Sequence, residues 1–549
     1  MTNSKKLVSQ VHAMRNSYGK QFASEKAAIL DSINLKTVSN KKDLQLLYTT
    51  LLFLVAHPDN KTIYGLANER LQELQDHLQA NEKLQRNLFN TGLTNTSLCA
   101  AFSFYMVSWL RKTRPREIRL SSFEADDAKI QSILSVVMSK TESEILQDGN
   151  AEWKGWLEQL RKPTTELLDQ LIDIFGSSDI RSEVKEELWN TIGINVEIDF
   201  SSHCCLPQSL FKTYYHRSLI KKDIDSDFTI EGPVPAKLTE TEASQVIDCS
   251  RMVLLRNLRE IDPISFTSAK LVSYYRLQRG ISVALVGMVP EYRHPVESYM
   301  GYVVFKNGLP VAYAGSWILF NSARIGLNIF PDYRGGESKY IFHQVLQLHA
   351  KVYRLKRFTV DPYQVGKDNS DGIHSGAFWI YYHAGFRPLQ KQQYELAAAE
   401  ALKINADHAY RSPAAVLKTL ANSRQQLVLQ KDAVGFDATD LSRVYAGIIS
   451  KKYKSKRRHA EKSAVKKLAG ILQIKNYQDD NMQFVLQNWA VLLLINETEL
   501  RKNNRLKTVL KKLFVLKTTG SEEAYIKLQQ QSADLEELLT KLVKTYIVH

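Results

Sequence analysis

The chain has 549 residues, too many for one hydrophobic core; at roughly one domain per 150 residues, three or four units are expected. A hydrophobic fraction of 44% and a charged fraction of 24% are ordinary for a globular protein and exclude a low-complexity or disordered chain. Lys and Arg number 73 against 58 Asp and Glu, and the formal charge of +15 makes an anionic partner worth seeking.

No apolar run reaches the about 20 residues that span a bilayer, and Leu46 to Ala56 and Trp489 to Ile495 read as buried helix segments. The start, Met1-Thr-Asn-Ser-Lys-Lys6, carries no signal-peptide pattern. Cys99, Cys204, Cys205 and Cys249 form no disulfide framework, and the pair after His203 lacks zinc-site spacing, so all four are expected as small buried hydrophobes. A reduced, cytoplasmic protein without a metal is the expectation.

Residues 1–215 read as a helical domain of unknown role. Helical apolar spacing runs over Asp43 to Ala56, Tyr64 to Leu88, Ser97 to Lys112, Asp127 to Ser139 and Trp153 to Phe175. Residues 216–237, with Gly232-Pro-Val-Pro235, read as a linker. Thr239-Glu-Thr-Glu242 is a capping box that starts a helix reaching Leu258, and Ser265 to Leu277 reads as a second helix. Ile281 to Val289 is a strand.

Gly301-Tyr-Val-Val-Phe-Lys-Asn-Gly-Leu-Pro-Val-Ala-Tyr-Ala-Gly-Ser-Trp317 sets two β-rich runs around Asn307-Gly308, the favoured type I′ hairpin pair. Arg324 to Phe330 reads as a third strand. Pro331-Asp-Tyr-Arg-Gly-Gly-Glu-Ser338 then leads into a helix over Lys339 to Arg354, with Ile341, Val345, Leu348 and Val352 on its apolar face. A strand, a glycine turn and a helix start form an anion site, because first-turn N–H groups are unpaired and glycine admits a pyrophosphate close to the backbone. A Glu337 carboxylate facing that anion would repel it. Arg357 to Val360 is a strand, the polar stretch Asp361 to Ser375 is a long loop, either a substrate-facing lid or a structural connection, and Ala377 to Phe386 carries an aromatic helix ending in Gly385-Phe386.

This order of elements, with the Gly335-Gly336 turn and the Tyr381 that stands four residues before Gly385-Phe386, resembles the GNAT superfamily of acyl-CoA N-acyltransferases over residues 238–395. The resemblance implies an α+β fold: a central GNAT-like mixed β-sheet flanked by helices, between mainly α-helical N-terminal and C-terminal domains. It implies acetyl-CoA or another acyl-CoA as donor, held by Ile329, Phe330, Arg334, Gly335, Gly336, Ser338 and Lys339. It places Tyr381 where the family has its general acid, a phenol that protonates the departing thiolate; the alternative is a core tyrosine with a satisfied hydroxyl. His374 stands where the family usually has an Asn and is read as a candidate base for an amine, with a solvated loop histidine as the alternative. The stretch from Ala323 to Pro331, where many members place an acidic base, holds no Asp or Glu.

Residues 396–549 read as a basic helical domain, with helices near Pro413 to Val428, Ala438 to Lys451, Arg458 to Leu472, Asp480 to Ile495, Glu497 to Leu516 and Glu522 to Val543. From Ala401 onward there are 26 Lys and Arg against 14 Asp and Glu, which is most of the net charge. The densest run is Lys451-Lys-Tyr-Lys-Ser-Lys-Arg-Arg-His459, a patch for nucleic acid, an anionic lipid surface or an acidic protein, or simply a solvated face. Three functions follow as expectations: an N-acyltransferase acting on an unknown amine, an aminoacyl-tRNA-dependent transferase, and a non-catalytic interaction module.

Overall fold

The computed structural model describes residues 3–147, 152–160, 165–220, 232–407, 409–431 and 433–547. Half of the expected linker, residues 221–231, lies outside them. The fold is mixed α/β, with helical segments before and after the sheets.

Three antiparallel strands stand in the N-terminal half: β1 (Thr96–Ala101), β2 (Ile118–Phe123) and β3 (Ile194–Phe200), in the order β1-β3-β2. The helix expected over Ser97 to Lys112 is therefore corrected. Its first part is β1, paired with β3 from Thr96↔Phe200 to Ala101↔Asn195, and a helix begins only at Phe104, capped by Ser103. The alternating burial along β3 shows a period of two, so long-range pairing overrides the local helical spacing of its partner.

The large sheet contains β4 (Val272–Arg276), β5 (Ile281–Val286), β6 (Ser298–Lys306), β7 (Leu309–Leu319), β8 (Ser322–Ile325), β9 (Asn328–Ile329), β10 (Arg357–Val360), β11 (Arg387–Pro388) and β12 (Gln425–Val428). Its order is β11-β12-β10-β8-β7-β6-β5-β4, with β9 paired to β7. The β8–β10 pair is parallel, joined across the Ser338–Val352 helix, and the other pairs are antiparallel.

The β6–β7 turn has φ 47° at Asn307 and 82° at Gly308, the positive pair a type I′ hairpin needs. The turn is buried under the N-terminal helices: Asn307 Nδ2 donates to the carbonyls of Ala56 (3.1 Å) and Tyr214 (3.0 Å). The capping box at Thr239 and Glu242 forms as expected and starts the Glu240–Arg256 helix.

Two further helices are corrected to strands. The stretch Ser265 to Leu277 holds β4, whose Val-Ser-Tyr-Tyr-Arg suits a pleated surface and pairs with β5 across Arg279-Gly280, both at positive φ. Pro413 to Val428 is a short helix, Ala414–Leu420, followed by β12, which joins the sheet beside β10. The strand expected over Arg324 to Phe330 divides at Gly326-Leu327 into β8 and β9. The loop expected at Asp361 to Ser375 folds into a 3-10 turn, Pro362–Val365, and a helical turn, Ser370–His374.

The buried side chains fall in three large clusters. One unites helices between Val8 and Leu93 with the large sheet, a second centres on the small sheet, and a third gathers Leu319, Phe320 and the C-terminal helices. Among the described residues no helix is long and apolar enough to cross a membrane. Of the cysteines, Cys249 is buried as expected, whereas Cys99 and Cys204 are half-buried and Cys205 is exposed.

Candidate functional site

The break between β8 and β9 shapes the site. At Ser322 to Arg324 the strand pairs with both β7 and β10, but Asn328 and Ile329 pair with β7 alone, so beyond Gly326 the strand and β10 part company. The divergence is fixed by hydrogen bonds. The Tyr302 hydroxyl donates to the Gly326 carbonyl, and the Leu327 N–H donates to the Tyr381 hydroxyl at 3.0 Å.

A cavity of about 650 Å³ opens there. Leu327, Ile329 and Phe330 line one wall, Arg334, Gly335 and Ser338 another, and His374, Ala377 and Tyr381 a third. Seven of the nine residues expected at the site thus share one cavity. Gly336 and Lys339 are not in its lining; Gly336 faces inward, where an added Cβ would come within 3.0 Å of the His57 ring.

The Ser338–Val352 helix begins without a side-chain cap, its first ladder bond running from Ile341 N–H to the Glu337 carbonyl at 2.9 Å. Its first-turn N–H groups therefore have no intrahelical acceptor, and the positive end of the helix is turned to the cavity wall at Ser338. Gly335 has φ 85°, a conformation that a residue with Cβ adopts only with strain. The turn is pinned from outside by Arg256, which bonds Asp332 at 2.5 Å and lies over the Tyr48 ring at 5.0 Å.

Arg334 meets Asp371 in two hydrogen bonds, of 2.8 and 3.2 Å, at the exposed mouth of the cavity. Arg259 and Asn257, just past the Glu240–Arg256 helix, also line the cavity. Sequence reading missed these and Asp371, since nothing in the local pattern brings residues 257–259 or 371 to the glycine turn.

The expected repulsion from Glu337 is corrected. Its side chain points away from the cavity and is 1% exposed. Its oxygens meet Arg279 at 2.5 Å and Lys306 at 2.7 Å, and its Oε2 lies 3.4 Å from His216 Nε2. Burial pushes this carboxyl upward, but the nearby His216, Lys306 and Arg279 more than reverse that and hold it well below the usual carboxylate range. Lys306 shifts the other way: burial outweighs the pull of Glu337 and lowers its ammonium to about 8. The two directions are consistent because Glu337 has four donating or positive neighbours, the Ile220 N–H among them, while Lys306 has one carboxylate. At neutral pH we take Glu337 as charged and Lys306 as protonated.

Tyr381 is 2% exposed, its ring packed edge-on to Phe342 and Phe386 with centroids 5.1 and 5.7 Å away. Burial raises its phenol above the ordinary value. Its oxygen accepts from Leu327, and among the described residues no acceptor takes its proton. The ring of Tyr381 is core, while the residue also reaches the cavity lining. His374 is exposed, with Nδ1 2.7 Å from the Ser370 carbonyl, which leaves Nε2 for the solvent or a ligand.

Among the described residues no group of three or more His, Cys, Asp or Glu is placed to hold a metal ion. Comparison with family models, with curated proteins and with solved structures finds no match to this chain.

Proposed function

We propose that this chain is an acyltransferase that moves an acyl group, probed first as acetyl, from a coenzyme A thioester to an amine. The observation that carries the reading is the meeting, in one cavity, of an uncapped helix start behind a left-handed glycine with a phenol set at a break in the sheet. The first element suits a pyrophosphate and the second a leaving thiolate.

In this reading the pyrophosphate sits over Arg334 to Ser338, and the extended arm of the donor follows the edge of Leu327 to Phe330 where β10 has parted from it. The neutral amine attacks the thioester carbonyl, forming a C–N bond and a tetrahedral intermediate. Collapse breaks the C–S bond, and Tyr381 gives its proton to the sulfur. The proton lost by the amine passes to His374 or to water, and solvent restores the phenol. Transfer of an aminoacyl group from tRNA is the second reading, favoured by the exposed Lys451 to His459 run, which would meet an anionic nucleic acid or an acidic protein.

Calorimetric titration of acetyl-CoA into the full chain separates the two. Heat and a thermal shift at sub-millimolar ligand support the first reading. No heat and no shift at millimolar acetyl-CoA overturn it.

A further inference from the structure

The turn that lines the cavity is tied to a buried charge. Glu337 stands between Gly336 and the first helical residue, and its carboxylate collects partners from distant parts of the chain. Lys306 ends β6, Arg279 lies in the β4–β5 turn, and the Ile220 N–H (3.0 Å) and His216 come from the segment that leaves the N-terminal half. His57, at the end of the Lys41–Ala56 helix, is fully buried with both ring nitrogens unpaired, and lies against Gly336 and 5.4 Å from the His216 ring.

Burying this many ionisable groups is costly, and well-packed apolar side chains of the same volume would be as stable or more so. What the charges add is direction. A carboxylate anchored by Arg279 and Lys306 fixes the backbone of its own residue, because these two side-chain bonds, one from the Ile220 N–H and the His216 ring 3.4 Å away leave it one orientation. The same anchoring keeps the negative charge on the far side of the turn from the cavity.

We propose that Glu337 is the positioning residue of the anion-binding turn: held by Arg279, Lys306 and His216, it sets the backbone of Gly335 to Ser338 so that the first-turn N–H groups face the cavity. The proposal rests on the donor reading for its ligand, but the placement of the turn is testable without one.

The test compares the wild type with Glu337→Gln, which keeps the shape and removes the charge, and with Glu337→Gln combined with Lys306→Met, which also removes the cation left unpaired. Two readouts are taken: acetyl-CoA affinity by calorimetry, and amide hydrogen exchange at Gly336 and Ile341, whose N–H groups bond the Tyr333 and Glu337 carbonyls, in the free protein. Exchange at this turn is expected to rise about tenfold or more in both variants, while the sheet around β6 stays protected in the double variant. Acetyl-CoA affinity is expected to fall about tenfold in both, with the melting temperature recovering in the double variant and affinity not.

Exchange at the turn equal to wild type, or affinity restored together with the melting temperature in the double variant, overturns the proposal: Glu337 would then only neutralise buried cations. If the wild type itself binds no acetyl-CoA but exchange at the turn rises in Glu337→Gln, the donor reading fails and the positioning role stands.

Discussion

Replacing Tyr381 with Phe separates the two roles its position supports. The ring would keep its edge contacts with Phe342 and Phe386, so no cavity forms in the core. The variant loses one oxygen, and the Leu327 N–H loses its acceptor. Leu327 is only half-buried, so water can take part of the bond; the stability cost is about 1 kcal/mol, at the low end of the range for an unpaired donor. In a cooperative unit that joins the N-terminal helices to the large sheet, that corresponds to a fall in melting temperature of about 1–2 °C. Donor affinity should hardly move, since neither reading gives the hydroxyl a bond to the bound ground state. Turnover should fall about 100-fold, the scale of a lost general acid, or about 2.7 kcal/mol of barrier. The assay follows release of the coenzyme A thiol with a panel of primary amines, alongside the calorimetric dissociation constant for acetyl-CoA. An unchanged kcat with a lowered melting temperature refutes the reasoning and leaves Tyr381 as a core residue.

Gly335→Val with Gly336→Val should abolish acetyl-CoA binding, because Val at φ 85° is strained and a Cβ at residue 336 presses on His57; calorimetry checks it, and retained affinity removes the turn from the site. Asp371→Ala frees Arg334 from an exposed ion pair worth about 0.2–1 kcal/mol, so acetyl-CoA should bind up to about fivefold more tightly; weaker binding would show that Arg334 does not meet the anion. The folded-state pKa of Glu337 lies below its ordinary 4.5, so its contribution to stability is present above that pH and is lost as pH falls below it. Melting temperatures measured from pH 7 to 3 should drop less steeply in Glu337→Gln than in the wild type.

Signals carried by neighbouring residues were readable in the sequence. Asn307-Gly308 specifies its turn through backbone dihedrals, the box at Thr239 and Glu242 through two local hydrogen bonds, and β10 through four residues whose bounds match the reading. The strands read as helices, β1, β4 and β12, share one cause. Each is short and apolar enough to fit a helical period, and each becomes a strand only by pairing, β1 with a partner about a hundred residues away. Near the cavity, the left-handed turn at Gly335 and the helix that carries Tyr381 were legible because each is written in a few neighbouring residues. The direction of Glu337 was not, since it depends on Arg279, Lys306 and His216, which only the folded chain brings together. The roles of Arg259 and Asp371 at the mouth were hidden for the same reason.

The place of β12 bears on how the chain is synthesised. β10 lies inside the finished sheet, between β8 and β12, yet Gln425–Val428 follow it by more than sixty residues. While the chain leaves the ribosome, β10 is therefore an edge strand with an open row of N–H and C=O groups, two of its four residues being the apolar Phe358 and Val360. β11 cannot cover it, because β11 pairs with β12 and not with β10. The nascent protein thus carries an exposed pairing edge beside its cavity until Val428 has emerged, and any truncation before that residue keeps the edge permanently.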